Sequence, residues 1–130
     1  MAKIRHLAIF TDGPEELANF YVDTFGMTIT QPLTSSPESG KWVFLTDGYL
    51  DLALIWPGDS LEAKEGMKNG INHFGFTLEE KEQPAVMQKL KARGIEPRKP
   101  PADRPYVEDR IKDIHGNPID LSITGLRSQN

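Results

Sequence analysis

The sequence predicts an α+β fold, two βαβββ modules forming a curved mixed sheet with helices on its convex face. Three matched features predict it. Ile4–Thr11 reads IRHLAIFT and Ile71–Leu78 reads INHFGFTL, so Ile-x-His-apolar-small-apolar occurs twice, with His6 and His73 67 residues apart. Gly26 and Gly94, each closing a helical pattern, stand 68 apart, and Asp51 and Asp120, each inside a hydrophobic strand pattern, stand 69 apart. Self-similarity at a nearly fixed offset in a fixed order marks a repeated unit. With 130 residues the chain suits one domain: module 1 at about 4–56, a polar linker at 57–70 (PGDSLEAKEGMKNG), and module 2 at about 71–124.

Each element follows from local pattern. The first strand, IRHLAIFT, alternates with period 2. The helix PEELANFYVDTFG has Pro14 at its first position, Asp12 as candidate N-cap, an apolar stripe of Leu17, Phe20, Tyr21 and Phe25, and Gly26 as its stop. MTITQPL is the next extended segment. KWVFLTDGYLDLALIW is a hairpin about Asp47-Gly48. The second module repeats the order: INHFGFTL, the helix PAVMQKLKARG from Pro84 to Gly94, a weaker extended segment IEPRKP, and the hairpin YVEDRIKDIHGNPIDLSI about Gly116-Asn117.

Strand parity then sorts the side chains. His6, Ala8 and Phe10 share a face; so do Asp51, Ala53 and Ile55; so do His73, Gly75 and Thr77; so do Pro118, Asp120 and Ser122. The opposite faces carry Leu7 and Ile9, then Leu50, Leu52, Leu54 and Trp56, then Phe74, Phe76 and Leu78, then Ile119, Leu121 and Ile123. One face packs under a helix; the other carries His or Asp among mostly small neighbours, which leave room for a bound group. Aspartate is depleted in strands. It can cap a hairpin or face solvent there. Two His and two Asp at matched positions also make up a ligand inventory for one divalent ion (Fe, Mn, Ni, Co or Zn). His115, in the turn, is expected to be exposed. In the seventh predicted strand, Tyr106, Glu108, Arg110 and Lys112 alternate with Val107 and Ile111. Arg110 there suits either a clamp on a substrate carboxylate or phosphate, with Tyr106 lining the pocket, or a solvated edge-strand face. Trp42 and Phe44 are expected to pack, and PRKPPADRP to be a connecting loop.

Composition excludes several classes. The chain has no cysteine, so disulfides, thiolate metal sites and thiol nucleophiles are absent. Its net charge of −4, without a Lys/Arg cluster among aromatics, argues against nucleic acid. No apolar run is long enough for a membrane span, and MAKIRHLAIF lacks a leader pattern, so the expectation is a cytoplasmic protein with neither membrane nor nucleic-acid partner.

Paired βαβββ modules, the HLAI and HFGF strand starts and the closing D-x-HGNPID hairpin resemble the vicinal oxygen chelate superfamily, over about residues 3–124. That group includes glyoxalase I, methylmalonyl-CoA epimerase, extradiol dioxygenases, fosfomycin-resistance proteins and metal-free bleomycin-binding proteins. The resemblance implies that His6, His73 and Asp120 are metal ligands and that Asp51, at the fourth-strand position, is a further ligand in the manner of glyoxalase I. Asp51 and Asp120 are then the candidate catalytic carboxylates, with Asp51 the better base. It implies one divalent ion with at least two open positions, where a small substrate with neighbouring oxygens binds and an enediolate or catecholate oxyanion is stabilised. The family usually carries Glu at the carboxylate positions. Both are Asp here, one methylene shorter, which means closer strands, a bridging water or a metal site that has decayed.

Three function classes follow. A glyoxalase-like metal-dependent lyase or isomerase is favoured by Asp51. An iron-dependent extradiol dioxygenase fits less well, because those enzymes commonly have four modules. A metal-free binding protein of the bleomycin-resistance type is disfavoured by both histidines. A homodimer is expected, since each open sheet needs a partner around the site.

Overall fold

The computed structural model describes residues 1–37, 40–58, 69–99 and 109–122. In chain order these form β1 (Lys3–Phe10), α1 (Pro14–Phe25), β2 (Thr28–Ser36), β3 (Gly40–Thr46), β4 (Asp51–Trp56), β5 (Gly70–Thr77), a short 3-10 turn (Glu80–Glu82), α2 (Gln83–Ala92), β6 (Asp109–Lys112) and β7 (Pro118–Ser122). The fold is α+β with a mixed sheet, as the repeat predicts. Among the described residues there are seven strands rather than eight. The segment IEPRKP contributes one isolated bridge, Arg98 to Arg110, instead of a strand. Among the described residues of that segment, Pro97 supplies no N–H to a ladder, in keeping with pairing at the single residue Arg98. No helix among the described residues is long and apolar enough to cross a membrane.

The chain divides into two compact units, Leu7–Asn72 and Met1–His6 with His73–Asn130. The cuts fall inside β1 and β5, and so differ from the module boundaries the repeat suggests. In consequence, His6 belongs to the unit that carries His73 and Asp120.

In the unit Leu7–Asn72 the strands run in the order β2-β3-β4-β1, and β3 pairs antiparallel with both β2 and β4. Alternation along the strands separates two apolar layers. Val43, Leu45, Leu52 and Leu54 are buried against Ala18 of α1, with Leu7, Ile9, Leu17, Tyr21 and Val22 packed around them. On the other face Ala8, Phe44 and Ala53 are buried together, with Trp42 and Ile55 against them. Trp42 and Phe44 are therefore packing residues, as expected. Helix α1 begins at Pro14, but its N-cap is Gly13 and not Asp12. The Thr11 hydroxyl accepts the Gly13 N–H at 3.1 Å, which turns the chain one residue later than the aspartate would. Gly26 ends the helix at φ 72°, the left-handed conformation that glycine adopts without strain. Beyond Asp47-Gly48 the turn extends to Leu50. The Asp47 carboxylate accepts the N–H groups of Tyr49 and Leu50 at 2.8 and 2.7 Å, and β4 opens at Asp51 opposite Thr46. Strand β2 is irregular where Pro32 interrupts it, with register shifts on both sides of Gln31.

In the other unit the order is β1-β5-β7-β6, β5 running parallel to β7 and β6 antiparallel to it. Ile111, Ile119 and Leu121 are buried, with Phe74, Phe76, Met87, Leu90 and Ile95 packed on them, so the apolar faces of β5, β6 and β7 lie under α2. Parity then sends His73, Gly75, Arg110 and Asp120 to the opposite face. The β6–β7 turn is held by Asp113, whose carboxylate accepts the N–H groups of His115 and Asn117, each at 2.9 Å. His115 is exposed in that turn, as expected.

Candidate metal centre

Strand register builds the site. Gly75 lies beside Asp120 across the parallel β5–β7 pair, and Arg110 lies opposite Asp120 across the β6–β7 hairpin. A Cβ on Gly75 would stand 3.2 Å from the Cβ atoms of both Asp120 and His6. The glycine thus leaves open the space over which the His6 and Asp120 side chains lean together, while His73, two residues earlier in β5, enters from the same face. Close approach is what a short aspartate needs in order to reach the histidines.

The ligating atoms converge. The Nε2 atoms of His6 and His73 are 3.3 Å apart, and Oδ2 of Asp120 lies 3.1 Å from His73 Nε2 and 3.8 Å from His6 Nε2. Three atoms with these separations lie on a circle of about 2 Å radius, the length of a Zn–N or Zn–O bond. All three side chains are largely withdrawn from solvent, with 13% of His6, 5% of His73 and 8% of Asp120 exposed.

Arg110 completes the cluster. Its Nε donates to Asp120 Oδ1 at 2.7 Å, and its Nη2 to Asp120 Oδ2 at 3.3 Å, a bidentate pair. The same Nη2 stands 3.2 Å from His73 Nε2. Since guanidinium only donates, that contact needs a bare Nε2 on His73, whereas the carboxylate at 3.1 Å favours a protonated one. One proton cannot satisfy both neighbours. A bound cation accepts lone pairs from imidazole and carboxylate alike, so the donor set fits a divalent ion better than it fits any single protonation state.

Electrostatics act in the same direction. Burial pushes His73 below its ordinary value of 6.5, outweighing the carboxylate of Asp120, and so favours the neutral ring that metals bind. Burial works to raise Asp120, but hydrogen bonding and charge from His73 and then Arg110 overcome it and hold the carboxyl well below its ordinary range. Both shifts mean that the unfolded chain binds more protons than the folded one on the acid side. The expected result is a thermal midpoint that falls as pH drops through the ordinary histidine value near 6.5. It should fall again through the ordinary carboxylate value near 3.8, where the stability contributed by ionised Asp120 is lost. Scanning calorimetry in chelator from pH 8 to pH 2 measures this, and a flat profile would contradict it.

Of the residues singled out in the sequence, His6, His73, Asp120 and Arg110 are brought together. Asp51 belongs to the unit Leu7–Asn72, where it is buried at the first position of β4, and the three clustered donors do not include it. Tyr106, Val107, Glu108 and Ile123 lie outside the described residues. The sequence places the hairpin turn at Gly116-Asn117, a register in which Arg110 does not face Asp120; the observed register, centred on His115, sets them opposite each other.

Comparison with known proteins shows the family and the fold. The sequence model of the Glyoxalase/Bleomycin resistance protein/Dioxygenase superfamily matches residues 3–121. The chain belongs to that superfamily, the vicinal oxygen chelate group. Among solved structures, a hypothetical protein from Bacillus halodurans C-125 is similar with TM-score 0.74 and 19% identity, over 99% of each chain. Methylmalonyl-CoA epimerase from Mycobacterium tuberculosis is similar with TM-score 0.66 and 19% identity, over 91% of this chain and 85% of that one. A Streptomyces coelicolor methylmalonyl-CoA epimerase variant in complex with 2-nitronate-propionyl-CoA is similar with TM-score 0.65 and 20% identity, over 95% and 96%. At these identities the likeness establishes the fold. No curated protein matches the chain in sequence.

Proposed function

We propose that this protein is a metal-dependent enzyme that isomerises or cleaves a small organic substrate through its neighbouring oxygens, with epimerisation beside a carbonyl the best-supported reaction. The observation that carries the proposal is the convergence of two imidazole nitrogens and one carboxylate oxygen around a point about 2 Å from each. The methylmalonyl-CoA epimerases among the structural relatives support the reaction class. His6, His73 and Asp120 hold the ion, which supplies Lewis-acid stabilisation of the oxyanion formed when the substrate loses a proton. The buried cluster keeps water from competing for the same charge. Asp51 takes the proton from one face, the planar oxyanion being reprotonated on the opposite face by a second donor, or Asp51 serves as a fourth ligand. Arg110 and Tyr106 bind the substrate, Arg110 through a carboxylate, so the substrate class is a small acid or acyl thioester bearing one.

Asp51→Asn separates its two roles. As a base, its loss should lower kcat by roughly 100-fold or more while the ion still binds. As a ligand, its loss should weaken the ion as well. Proton–deuteron exchange of a 2-substituted malonyl thioester, read by NMR in D2O beside metal titrations, measures both. Unchanged exchange with unchanged metal affinity would remove Asp51 from the proposal.

A second reading, a metal-free binding protein for organic anions, is favoured by one observation: Arg110 already presents a permanent cation to His73 and Asp120. A wild-type protein that binds carboxylates but no divalent ion would establish it.

A further inference from the structure

We infer that Arg110 is a resident cation in the metal centre, which a divalent ion must displace in order to bind. The inference rests on the metal reading proposed above and specifies how that site is filled. Two of the three candidate ligand atoms, His73 Nε2 and Asp120 Oδ2, face the same atom, Arg110 Nη2, at 3.2 and 3.3 Å. A metal ion needs the same Nε2 lone pair, the single one His73 offers there, and must bind the same Oδ2 atom beside the guanidinium. Two cations cannot share them, because like charges at such separations repel and the cluster is largely withdrawn from solvent. The stronger arginine contact, Nε to Oδ1 at 2.7 Å, uses the other carboxylate oxygen. Arg110 therefore need not leave Asp120 altogether: it gives up Oδ2 and His73 and keeps Oδ1, the arrangement of an outer partner that orients a ligating carboxylate. Only after that exchange is Nη2 available to the substrate carboxylate assigned to Arg110 above. Lys99, next to the Arg98 that bridges Arg110, is paired with Asp109 at 2.6 Å and so is already engaged.

The inference runs opposite to what a purely supporting arginine predicts. Loss of an outer partner normally weakens a metal site by about 10–100-fold. Loss of a competing cation strengthens it. Calorimetric titration of chelator-treated wild type and Arg110→Met with Zn²⁺ decides between the two. The expected result is binding to the variant tighter by about ten-fold or more, one ion per chain, since each tenfold corresponds to about 1.4 kcal/mol of relieved competition. Equal or weaker binding by the variant overturns the inference while leaving the metal reading intact. Zn²⁺ binding by neither protein overturns both. A measurement on the wild type alone guards against a poorly folded variant. The guanidinium Nε–H resonance of Arg110, followed by heteronuclear NMR, should shift on addition of one equivalent of Zn²⁺. A resonance that stays fixed while the ion binds would also overturn it.

Discussion

Asp120→Ala is expected to cost roughly 3–5 kcal/mol of folding free energy, the loss typical of breaking a buried ion pair by removing one partner. Asp120 lies in the centre of β7, 5% exposed, and receives two N–H donors from Arg110, itself 15% exposed at the side chain. Alanine leaves that guanidinium desolvated and without its carboxylate, with His73 still beside it. The aliphatic neighbours are untouched, since Ile119 and Leu121 point to the opposite face. Denaturant unfolding in chelator measures the loss. Adding Arg110→Met should restore much of it, because the stranded charge is then gone. A single-mutant loss below about 1 kcal/mol would mean the pair behaves like a surface ion pair and that the cluster is wetter than its burial indicates.

His73→Ala is expected to abolish metal binding with the core largely intact. Removing an outer partner already costs about 10–100-fold in affinity, so removing a ligand should exceed about 100-fold. His73 faces away from the apolar layer formed by Phe74, Phe76, Ile119 and Leu121 under α2, and that layer holds the unit together. Far-ultraviolet circular dichroism should be nearly unchanged, while Zn²⁺ no longer raises the thermal midpoint. A variant that retains Zn²⁺ affinity would exclude His73 as a ligand.

Much of this was legible in the sequence because period-2 alternation and turn residues are local signals. The faces of β1, β4, β5 and β7 follow from counting, and counting places His6, His73 and Asp120 on the polar side of their strands. The helix stops at Gly26 and Gly94 follow from the left-handed residue that glycine supplies. What could not be read depends on partners distant in sequence or on competition between local signals. Asp12 and Gly13 compete for the α1 cap, and the Thr11 hydroxyl decides between them. The segment IEPRKP looks extended, yet among its described residues only Arg98, next to Pro97, makes a bridge. The bond between Arg110 and Asp120 requires the exact hairpin register, which strand parity alone does not specify. Gly75 reads in sequence as a small residue that leaves room; only the neighbouring strands show that the room lies between His6 and Asp120.

The most direct test of the account is metal stoichiometry on the purified wild-type chain. Protein stripped with chelator, then dialysed separately against Fe²⁺, Mn²⁺, Ni²⁺, Co²⁺ and Zn²⁺, is assayed by elemental analysis beside His73→Ala. One ion per chain in the wild type for at least one of the five, and none in the variant, is the predicted result. A wild-type chain that retains none of them would contradict the metal centre and leave an anion-binding pocket built on Arg110.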